Sequence, residues 1–266
     1  MSQIDQKFLT QNLIPTVLEA GKNIMTYFET PLDIATKANN SPVTEADQVA
    51  EDLILRDLKQ FCPEIPVVAE ESLSQGARPH VEDIYFLVDP LDGTREFINQ
   101  RPEFTVNIGL IENKCPVFGI ILAPALGELY VTLDLNSVGR LDTVFERTSI
   151  DVSDFQPIAC RLVDREALHV LASRSHLDDA TIAYLDDFSV ANTVNAGSSL
   201  KFCRLAEGRA DLYPRFGPTM EWDTAAGQAI LQAAGGTVEN LDGTSFLYGK
   251  VDQEFKNPGF IAWGRR

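Results

Sequence analysis

The pattern of apolar and polar positions predicts consecutive strands in the first half of the chain and alternating strands and helices in the second half. Residues 104–111, 117–123 and 128–133 are three strand-like runs joined by short turns, which is typical of an antiparallel meander. Further along, strand and helix patterns alternate, which indicates an α/β layer. The alternating segments are residues 168–172, 178–185, 190–195, 198–207, 210–213 and 223–234. We therefore predict a mixed α/β (α+β) protein with an N-terminal α+β part over 1–155 and a C-terminal α/β part over 156–266.

Two amphipathic helices are predicted before the meander. The first carries its apolar residues mostly on one face over 4–28, but Pro15 interrupts it, so we expect a kink or a new helix start there. Residues 30–43 are polar and predict a surface loop. A second helical pattern covers about 44–61.

The stretch I-Y-F-L-V-D-P-L-D-G-T-R-E-F combines a buried strand, a tight turn and a helix start. Residues 84–88 are apolar and rich in β-branched and aromatic side chains, as in a buried strand. We expect the ladder to end at Asp89, because Pro90 has no N–H to donate. Asp92-Gly93 predicts a turn, and Thr94 is placed to cap a short helix.

This turn holds two carboxylates within four residues. Two carboxylates about 4 Å apart repel by up to ~4 kcal/mol at an effective dielectric near 20, and a hard divalent cation removes that cost. Asp89, Asp92 and the carbonyl of Leu91 are oxygen ligands of the kind Mg²⁺ takes, and free N–H groups at the helix start can meet a phosphate. The alternative is an ordinary Asx turn followed by a helix cap. The whole pattern favours metal–phosphate chemistry.

Four further acidic residues have both a structural and a functional interpretation. Asp47 is either a capping-box residue or an active-site carboxylate, and the two are compatible. Glu70 and Glu71 follow the predicted strand 67–69 and are either solvated loop acids or metal ligands. Adjacent strand residues point to opposite faces, so only one of them can face a given metal unless the strand ends there. Asp223 is either a helix N-cap or a ligand.

A candidate anion site lies in the second half of the chain. Gly197-Ser198-Ser199-Leu200-Lys201 opens a predicted helix, and its N–H groups, hydroxyls and lysine suit a phosphate. The alternative is a capped helix with an exposed lysine.

Composition and charge narrow the function classes. The 266 residues are 44% hydrophobic and 23% charged, as in an ordinary globular protein, and the formal net charge of −17 argues against nucleic-acid polymers and anionic lipid as partners. The four cysteines are widely spaced, which predicts reduced thiols in a cytoplasmic protein. We expect no membrane span, since no apolar run approaches about 20 residues.

Four motifs together resemble the inositol monophosphatase superfamily of Mg²⁺-dependent, lithium-sensitive phosphatases. They are P-V-T-x-x-D at 42–47, E-E at 70–71, D-P-L-D-G-T at 89–94 and W-D-x-A-A-G at 222–227. The resemblance implies a layered α/β/α/β/α sandwich of the inositol monophosphatase and sugar phosphatase type.

The resemblance also implies two or three Mg²⁺ ions. It assigns one to Glu70, Asp89 and the Leu91 carbonyl, a second to Asp89, Asp92 and Asp223, and a weaker third to the neighbourhood of Glu70 and water. Two metals can neutralise both the attacking and the leaving oxygen of a phosphomonoester.

The same resemblance assigns roles to the turn after the strand. Thr94, polarised by Asp47, orients the attacking water, and Glu70 takes part in the catalytic step. The N–H groups of Gly93 and Thr94 hold the phosphate.

Within the superfamily, several segments resemble the bacterial bisphosphate nucleotidases: N-S-P-V-T-E-A-D, F-T-V-N-I-G-L-I, S-R-S-H, G-S-S-L-K-F-C, L-Y-P-R-F-G-P-T and N-P-G-F. This implies removal of the 3′-phosphate of 3′-phosphoadenosine 5′-phosphate, and of its sulfated form, in sulfur assimilation. Lys201 and Arg215 would grip the 5′-phosphate, with His176 near the base. The residues placed around the substrate are Glu70, Leu91, Asp92, Gly93, Thr94, His176, Ser198, Lys201, Arg215 and Asp223.

Two alternatives remain at this point. One is an inositol or sugar phosphatase, and the other is a non-catalytic, metal-dependent protein that binds a phosphorylated metabolite. We expect a monomer or homodimer in the cytoplasm, with peripheral association at the inner membrane face as the alternative location.

Overall fold

Two β-sheets with helices on their faces form the framework of the computed structural model, which describes residues 5–28, 34–36, 42–172 and 179–266. The first half contains α1 (Gln6–Phe28), β1 (Ile34–Thr36), β2 (Pro42–Thr44), α2 (Glu45–Phe61), β3 (Val67–Ala69), α3 (Glu70–Ser74), β4 (Ile84–Asp92), α4 (Thr94–Ile98), β5 (Thr105–Glu112), β6 (Cys115–Ala123), β7 (Glu128–Asp134), β8 (Ser137–Leu141) and β9 (Gln156–Ile158). The second half contains β10 (Leu168–Ala172), α5 (Asp179–Leu185), β11 (Val190–Asn195), α6 (Leu200–Ala206), β12 (Leu212–Arg215), β13 (Thr219–Met220), α7 (Glu221–Ala233), β14 (Thr237–Asn240), β15 (Lys256–Asn257) and β16 (Phe260–Trp263).

The larger sheet has seven strands in the order β3-β4-β5-β6-β7-β8-β9. Only the β3–β4 pair is parallel, and β4 to β9 follow one another as antiparallel neighbours. The predicted meander is confirmed. The smaller sheet has five strands in the order β11-β10-β12-β16-β14, with parallel pairs around β10 and antiparallel pairs around β16.

Three apolar clusters separate five layers. The first lies between α1, α2 and one face of the larger sheet, where Leu13, Val17 and Ile54 are buried. The second lies between the two sheets and contains α6 and α7. The third covers the outer face of the smaller sheet, against α5. The order α/β/α/β/α confirms the predicted fold class.

Helix α7 crosses the larger sheet at unusually close range. A Cβ added to Gly119 on β6 would lie 2.3 Å from the carbonyl oxygen of Ala226, and one added to Gly109 on β5 would lie 2.8 Å from the Ala225 Cβ. The small residues on both sides therefore set the height of α7 above the sheet.

Helix α1 is continuous through Pro15, so the expected new helix start is wrong. Pro15 lies on the exposed side of the helix, while Leu13, Ile14, Thr16 and Val17 around it are buried. Packing of that buried side holds the helix together across the missing N–H.

The larger sheet extends past residue 155, because β9 pairs with β8. The division into parts at 155 and 156 stays a prediction. Across the described residues, none of the helices combines the length and apolar character needed to cross a bilayer.

Candidate active site

A one-residue bulge in β4 brings Asp89 and Asp92 to the same face of the sheet. Asp89 pairs with Asn107 and Asp92 with Thr105, so three residue steps on β4 match two steps on β5. In a regular strand, residues three apart point to opposite faces, and the extra residue cancels that difference. The expectation that the strand ends at Asp89 is wrong, since β4 continues to Asp92 and Pro90 lies inside the bulge.

The turn after β4 is made by Gly93 with a left-handed φ of 92°. A Cβ there would lie 3.3 Å from the Glu103 carbonyl oxygen and from the Ser198 Cβ, so glycine suits both the conformation and the space. Gly93 is the N-cap residue and Thr94 the first residue of α4, which corrects the prediction that Thr94 is the cap. The N–H groups of Gly93 and Thr94 lie directly beside Asp92.

Glu70 and Glu71 begin a helix instead of continuing a strand. Strand β3 ends at Ala69, and α3 starts at Glu70. Glu71 is buried and Glu70 is half-buried. Because β3 is parallel to β4 with Ala69 opposite Val88, Glu70 follows β3 at the same end of the sheet where Asp89 follows Val88.

Asp223 lies in the first turn of α7 and accepts a hydrogen bond from the Met220 N–H at 2.8 Å. It is the third residue of the helix and Met220 is the N-cap, so the N-cap alternative for Asp223 is wrong. The neighbouring Glu221 carboxylate accepts hydrogen bonds from the N–H groups of Gly249 at 3.0 Å and Lys250 at 2.9 Å. These bonds fix the end of α7 that carries Asp223.

Electrostatic interactions join the five carboxylates into one site. Burial, followed by repulsion from Glu70, Asp92, Asp223 and Asp47, raises the pKa of Asp89 well above its ordinary value. Burial, followed by repulsion from Asp92 and Glu70, likewise raises the pKa of Asp223, although the Met220 N–H and Arg215 oppose the shift. The described chain therefore concentrates mutually repelling carboxylates at the ends of β3, β4 and α7, with Arg215 and Lys201 as nearby cations.

The donor set fits a hard divalent cation, because it consists of carboxylates that repel one another and a backbone carbonyl. Within the described ranges, no three His, Cys, Asp or Glu side chains are already gathered closely enough to hold an ion. Asp92 and Asp223 instead accept hydrogen bonds from Ser198 and from the Met220 N–H. The fit therefore rests on charge and donor type.

A chain of hydroxyl groups connects Asp92 to the second half of the molecule. Asp92 Oδ2 accepts hydrogen bonds from Ser198 Oγ and the Ser199 N–H, both at 2.5 Å. Thr105 Oγ1 lies 2.6 Å from Ser198 Oγ and 2.8 Å from Ser199 Oγ, and Ser199 Oγ lies 2.7 Å from Asn107 Oδ1. Ser198, a residue with φ of 55°, is thereby fixed against the turn that carries Asp92.

Neither Thr105 nor Asn107 stands out from its local sequence as a functional residue. Thr105 and Asn107 alternate on β5, so their side chains lie on the same face of the sheet. They are the register partners of Asp92 and Asp89. Their role becomes visible only when the pairing of β4 with β5 is known.

Lys201 and Arg215 both lie beside this network. Lys201 is buried, and its Nζ donates to the carbonyl oxygens of Ser198 at 2.7 Å and Ala196 at 3.4 Å. Burial lowers its pKa to about 8, with Asp92 opposing the shift. Arg215 donates from Nη2 to the Pro218 carbonyl at 3.3 Å, while its buried Nε has no hydrogen-bond partner among the described residues.

The structure thus brings together Asp47, Glu70, Asp89, Leu91, Asp92, Gly93, Thr94, Ser198, Lys201, Arg215 and Asp223 at one end of the two sheets. His176 lies outside the described residues. The side chain of Thr44, the expected partner of Asp47 in a capping box, also lies outside them. The individual roles of all these residues stay predictions.

Comparisons with known proteins agree with this architecture. The model of the inositol monophosphatase family matches residues 5–261. The 3′(2′),5′-bisphosphate nucleotidase CysQ of Salmonella typhimurium is 44% identical over 244 residues, which cover 91% of this chain and 94% of that protein. CysQ of Escherichia coli strain K12 is 42% identical with the same coverage.

Among solved structures, CysQ from Bacteroides thetaiotaomicron superposes with a TM-score of 0.81 at 34% identity and covers 99% of both chains. That protein is described as a bacterial member of the inositol monophosphatase family. The predicted family is confirmed: the chain belongs to the inositol monophosphatase family.

Proposed function

We propose that this protein is a metal-dependent 3′(2′),5′-bisphosphate nucleotidase. It removes the 3′-phosphate of 3′-phosphoadenosine 5′-phosphate to give AMP and phosphate, and also acts on the sulfated nucleotide of sulfur assimilation. The observation that carries the proposal is the placement of Arg215 beside Asp223 and Lys201, which adds a cationic group next to the carboxylate cluster. The identity of 44% to a CysQ nucleotidase supports the same substrate class.

Two or three Mg²⁺ ions are the proposed cofactor, held by Glu70, Asp89, Asp92, Asp223, the Leu91 carbonyl and Glu71. When bound, they supply the positive charge that neutralises the attacking and leaving oxygens of the phosphate.

The remaining residues of the site bind the phosphate and handle the proton. The N–H groups of Gly93 and Thr94, at the start of α4, bind the oxygens of the reacting phosphate. The Thr94 hydroxyl orients the attacking water, and the Asp47 carboxylate accepts the proton through that hydroxyl. Asp47 is 2% exposed, so its acceptor position is held by the packing of α2.

Arg215 and Lys201 bind the 5′-phosphate, which does not react. The Nε of Arg215, which has no partner in the part of the chain that the structure describes, is a donor available to an anion. Ser198 lies between the two phosphate positions, since its hydroxyl bonds Asp92 and its carbonyl accepts from Lys201. We also propose His176 as a contact near the base, a monomer or homodimer as the working state, and the cytoplasm as the location.

The test compares phosphate release from 3′-phosphoadenosine 5′-phosphate and from inositol 1-phosphate in Mg²⁺, for wild type and for Lys201→Ala/Arg215→Ala. Each charge-assisted hydrogen bond to phosphate is worth roughly 1.5–3 kcal/mol, so the double variant should lose at least ~100-fold in kcat/KM for the bisphosphate. The monophosphate should lose much less, because it lacks the second anionic group.

Arg56→Ala/Lys59→Ala is the matched control, since both cationic side chains lie on the exposed side of α2. A wild-type preference for the inositol ester, or an unchanged specificity ratio in the site variant, would reject the nucleotidase assignment. If the wild-type protein releases phosphate from neither of the two esters, a non-catalytic binding protein is favoured.

A further inference from the structure

Glu51 is a fully buried acid in the middle of α2, and its hydrogen bonds to the described residues all reach the start of another helix. Its carboxylate accepts from the Glu71 N–H at 2.7 Å, from the Ser72 N–H at 2.7 Å and from the Ser72 hydroxyl at 2.5 Å. The two N–H groups bond different oxygens, so both carboxylate oxygens are in use. None of the roles proposed above involves this residue.

Helix α3 depends on this carboxylate because it has no cap of its own. The N-cap position is Ala69, which makes no side-chain capping bond. The first N–H groups of a helix need an acceptor when they are buried, and a carboxylate is a strong one. Glu51 therefore supplies, from α2, the cap that the α3 sequence lacks.

This cap links two parts of the active site. Glu70, the first residue of α3, immediately precedes the two residues whose N–H groups Glu51 binds. Asp47 lies one turn before Glu51 on α2, so the two acids occupy the same helix face. Ala50 and Ile54 pack the same helix into the core with no exposed surface.

We infer that Glu51 is a positioning residue, which holds Glu70 at a set distance from Asp47 and so prepares the metal site. This inference rests on the proposed role of Glu70 as a metal ligand, but it does not depend on which phosphate ester is the substrate. The competing explanation is that Glu51 is a buried acid with only a structural role.

The test compares Glu51→Gln with Asp57→Asn. Glutamine keeps the shape of the side chain and one acceptor oxygen, but its NH₂ group faces a backbone N–H donor in place of the second oxygen. Asp57 is the matched control, because it is a buried acid on the same helix that accepts from the Thr16 hydroxyl on α1 at 2.8 Å and from Arg56. Each substitution removes one buried negative charge from α2, but only Glu51→Gln changes a hydrogen bond to α3.

Mg²⁺ binding to the substrate-free protein is measured by isothermal titration calorimetry, beside kcat, KM and the Mg²⁺ concentration that gives half-maximal activity. Loss of a residue that orients a metal ligand typically costs 10–100-fold in metal affinity. Glu51→Gln should therefore weaken Mg²⁺ binding about 10-fold and lower kcat at limiting Mg²⁺, with little change in KM at saturating Mg²⁺. Asp57→Asn should lower the melting temperature and leave Mg²⁺ affinity unchanged.

Ser72→Ala gives a graded second measurement, because it removes one of the three hydrogen bonds and leaves the charge in place. It should weaken Mg²⁺ binding by roughly 2- to 3-fold, and it decides the question if Glu51→Gln does not fold. Wild-type Mg²⁺ affinity in both Glu51→Gln and Ser72→Ala would overturn the inference. A loss of Mg²⁺ affinity in Asp57→Asn as large as that in Glu51→Gln would also overturn it. A wild-type preference for inositol 1-phosphate would reject the nucleotidase proposal while leaving the positioning role intact.

Discussion

Asp92 is at once a proposed metal ligand and the acceptor that holds the two halves of the site together. One of its oxygens accepts from Ser198 and Ser199, which leaves the other for a cation. An amide in its place keeps the shape and one acceptor oxygen but loses the charge.

We predict that Asp92→Asn nearly abolishes turnover while the protein stays folded. Phosphate release in Mg²⁺ and the circular dichroism spectrum are the measurements. Asp242→Asn is the control, since Asp242 lies in an exposed Asp-Gly turn and caps Thr244. Activity close to wild type in Asp92→Asn would contradict the ligand assignment.

Lys201 makes the stability of the protein depend on pH in the alkaline range. Its pKa is about 8 in the folded protein, against the ordinary 10.5 expected in the unfolded chain. The folded state therefore binds fewer protons between these two values, and stability rises as pH increases from about 8 towards 10.5. Below pH 8 the cost of burying the charged amine is fully present.

We predict that the unfolding free energy of wild type, measured relative to Lys201→Met, increases between pH 7 and pH 10. Each pKa unit corresponds to about 1.4 kcal/mol, so the gain should amount to a few kcal/mol. Urea unfolding at both pH values gives the comparison, in which the other titrating groups largely cancel. A constant or falling difference would mean that the amine is not desolvated.

At the scale of elements, the bulge in β4 separates what the sequence could predict from what it could not. The apolar run 84–88 predicted the strand, and the Asp-Gly dipeptide predicted the turn. The sequence alone could not reveal that Pro90 lies within a continuing strand, because a bulge depends on the pairing partner. The strand and the turn were therefore predicted, but the reason why Asp89 and Asp92 face the same side of the sheet was not.

Elements whose pattern lies within their own residues were the most predictable. The meander, the strand 67–69 and the last helix follow from their own residues. Glu51, Thr105 and Asn107 escaped notice because their partners lie on other elements. Asn107, for example, bonds Ser199 across 92 residues of sequence.

The crossing of α7 over β6 predicts a sensitivity to very small changes of volume. In Gly119→Ala the new methyl group would lie 2.3 Å from the Ala226 carbonyl oxygen, so the helix must move. We predict a destabilisation of about 1–3 kcal/mol or more, together with lower activity, because α7 carries Asp223. Thermal unfolding and phosphate release are the two measurements.

Gly217→Ala provides the stability control, because the nearest atoms to a Cβ there belong to the Arg215 side chain and lie 3.8 Å away, at ordinary contact distance. An equally stable Gly119→Ala protein would show that the packing of α7 is looser than described.

At the scale of the whole molecule, a largely buried ion-pair cluster joins the larger sheet to α6. Arg204 on α6 pairs with Glu128 on β7 at 2.7 Å and with Glu207 at 3.1 Å. Arg140 on β8 pairs with the same two acids at 3.0 Å each. Tyr130 accepts a hydrogen bond from Arg204 at 2.7 Å inside the cluster.

We predict that Arg204→Met destabilises the protein by about 3–5 kcal/mol, because two largely buried acids each lose a cationic partner: Glu128 keeps only Arg140, and Glu207 keeps Arg140 and Arg209. Urea unfolding measures the loss. Arg56→Met is the control: its side chain is 60% exposed, and its pairs with Glu19 at 3.8 Å and Asp57 at 2.8 Å should each contribute about 1 kcal/mol or less. Equal effects of the two substitutions would contradict the buried character of the cluster.

The hydrogen bond from Ser198 to Asp92 spans 106 residues of sequence. Contacts of such long range form late, since the chain must close a large loop before it gains them. A refolding chain can therefore complete α1, α2 and the meander, all built from closer neighbours, while the turn that bears Asp92 still lacks its partner. During refolding, enzymatic activity should therefore be recovered only after the secondary structure has formed.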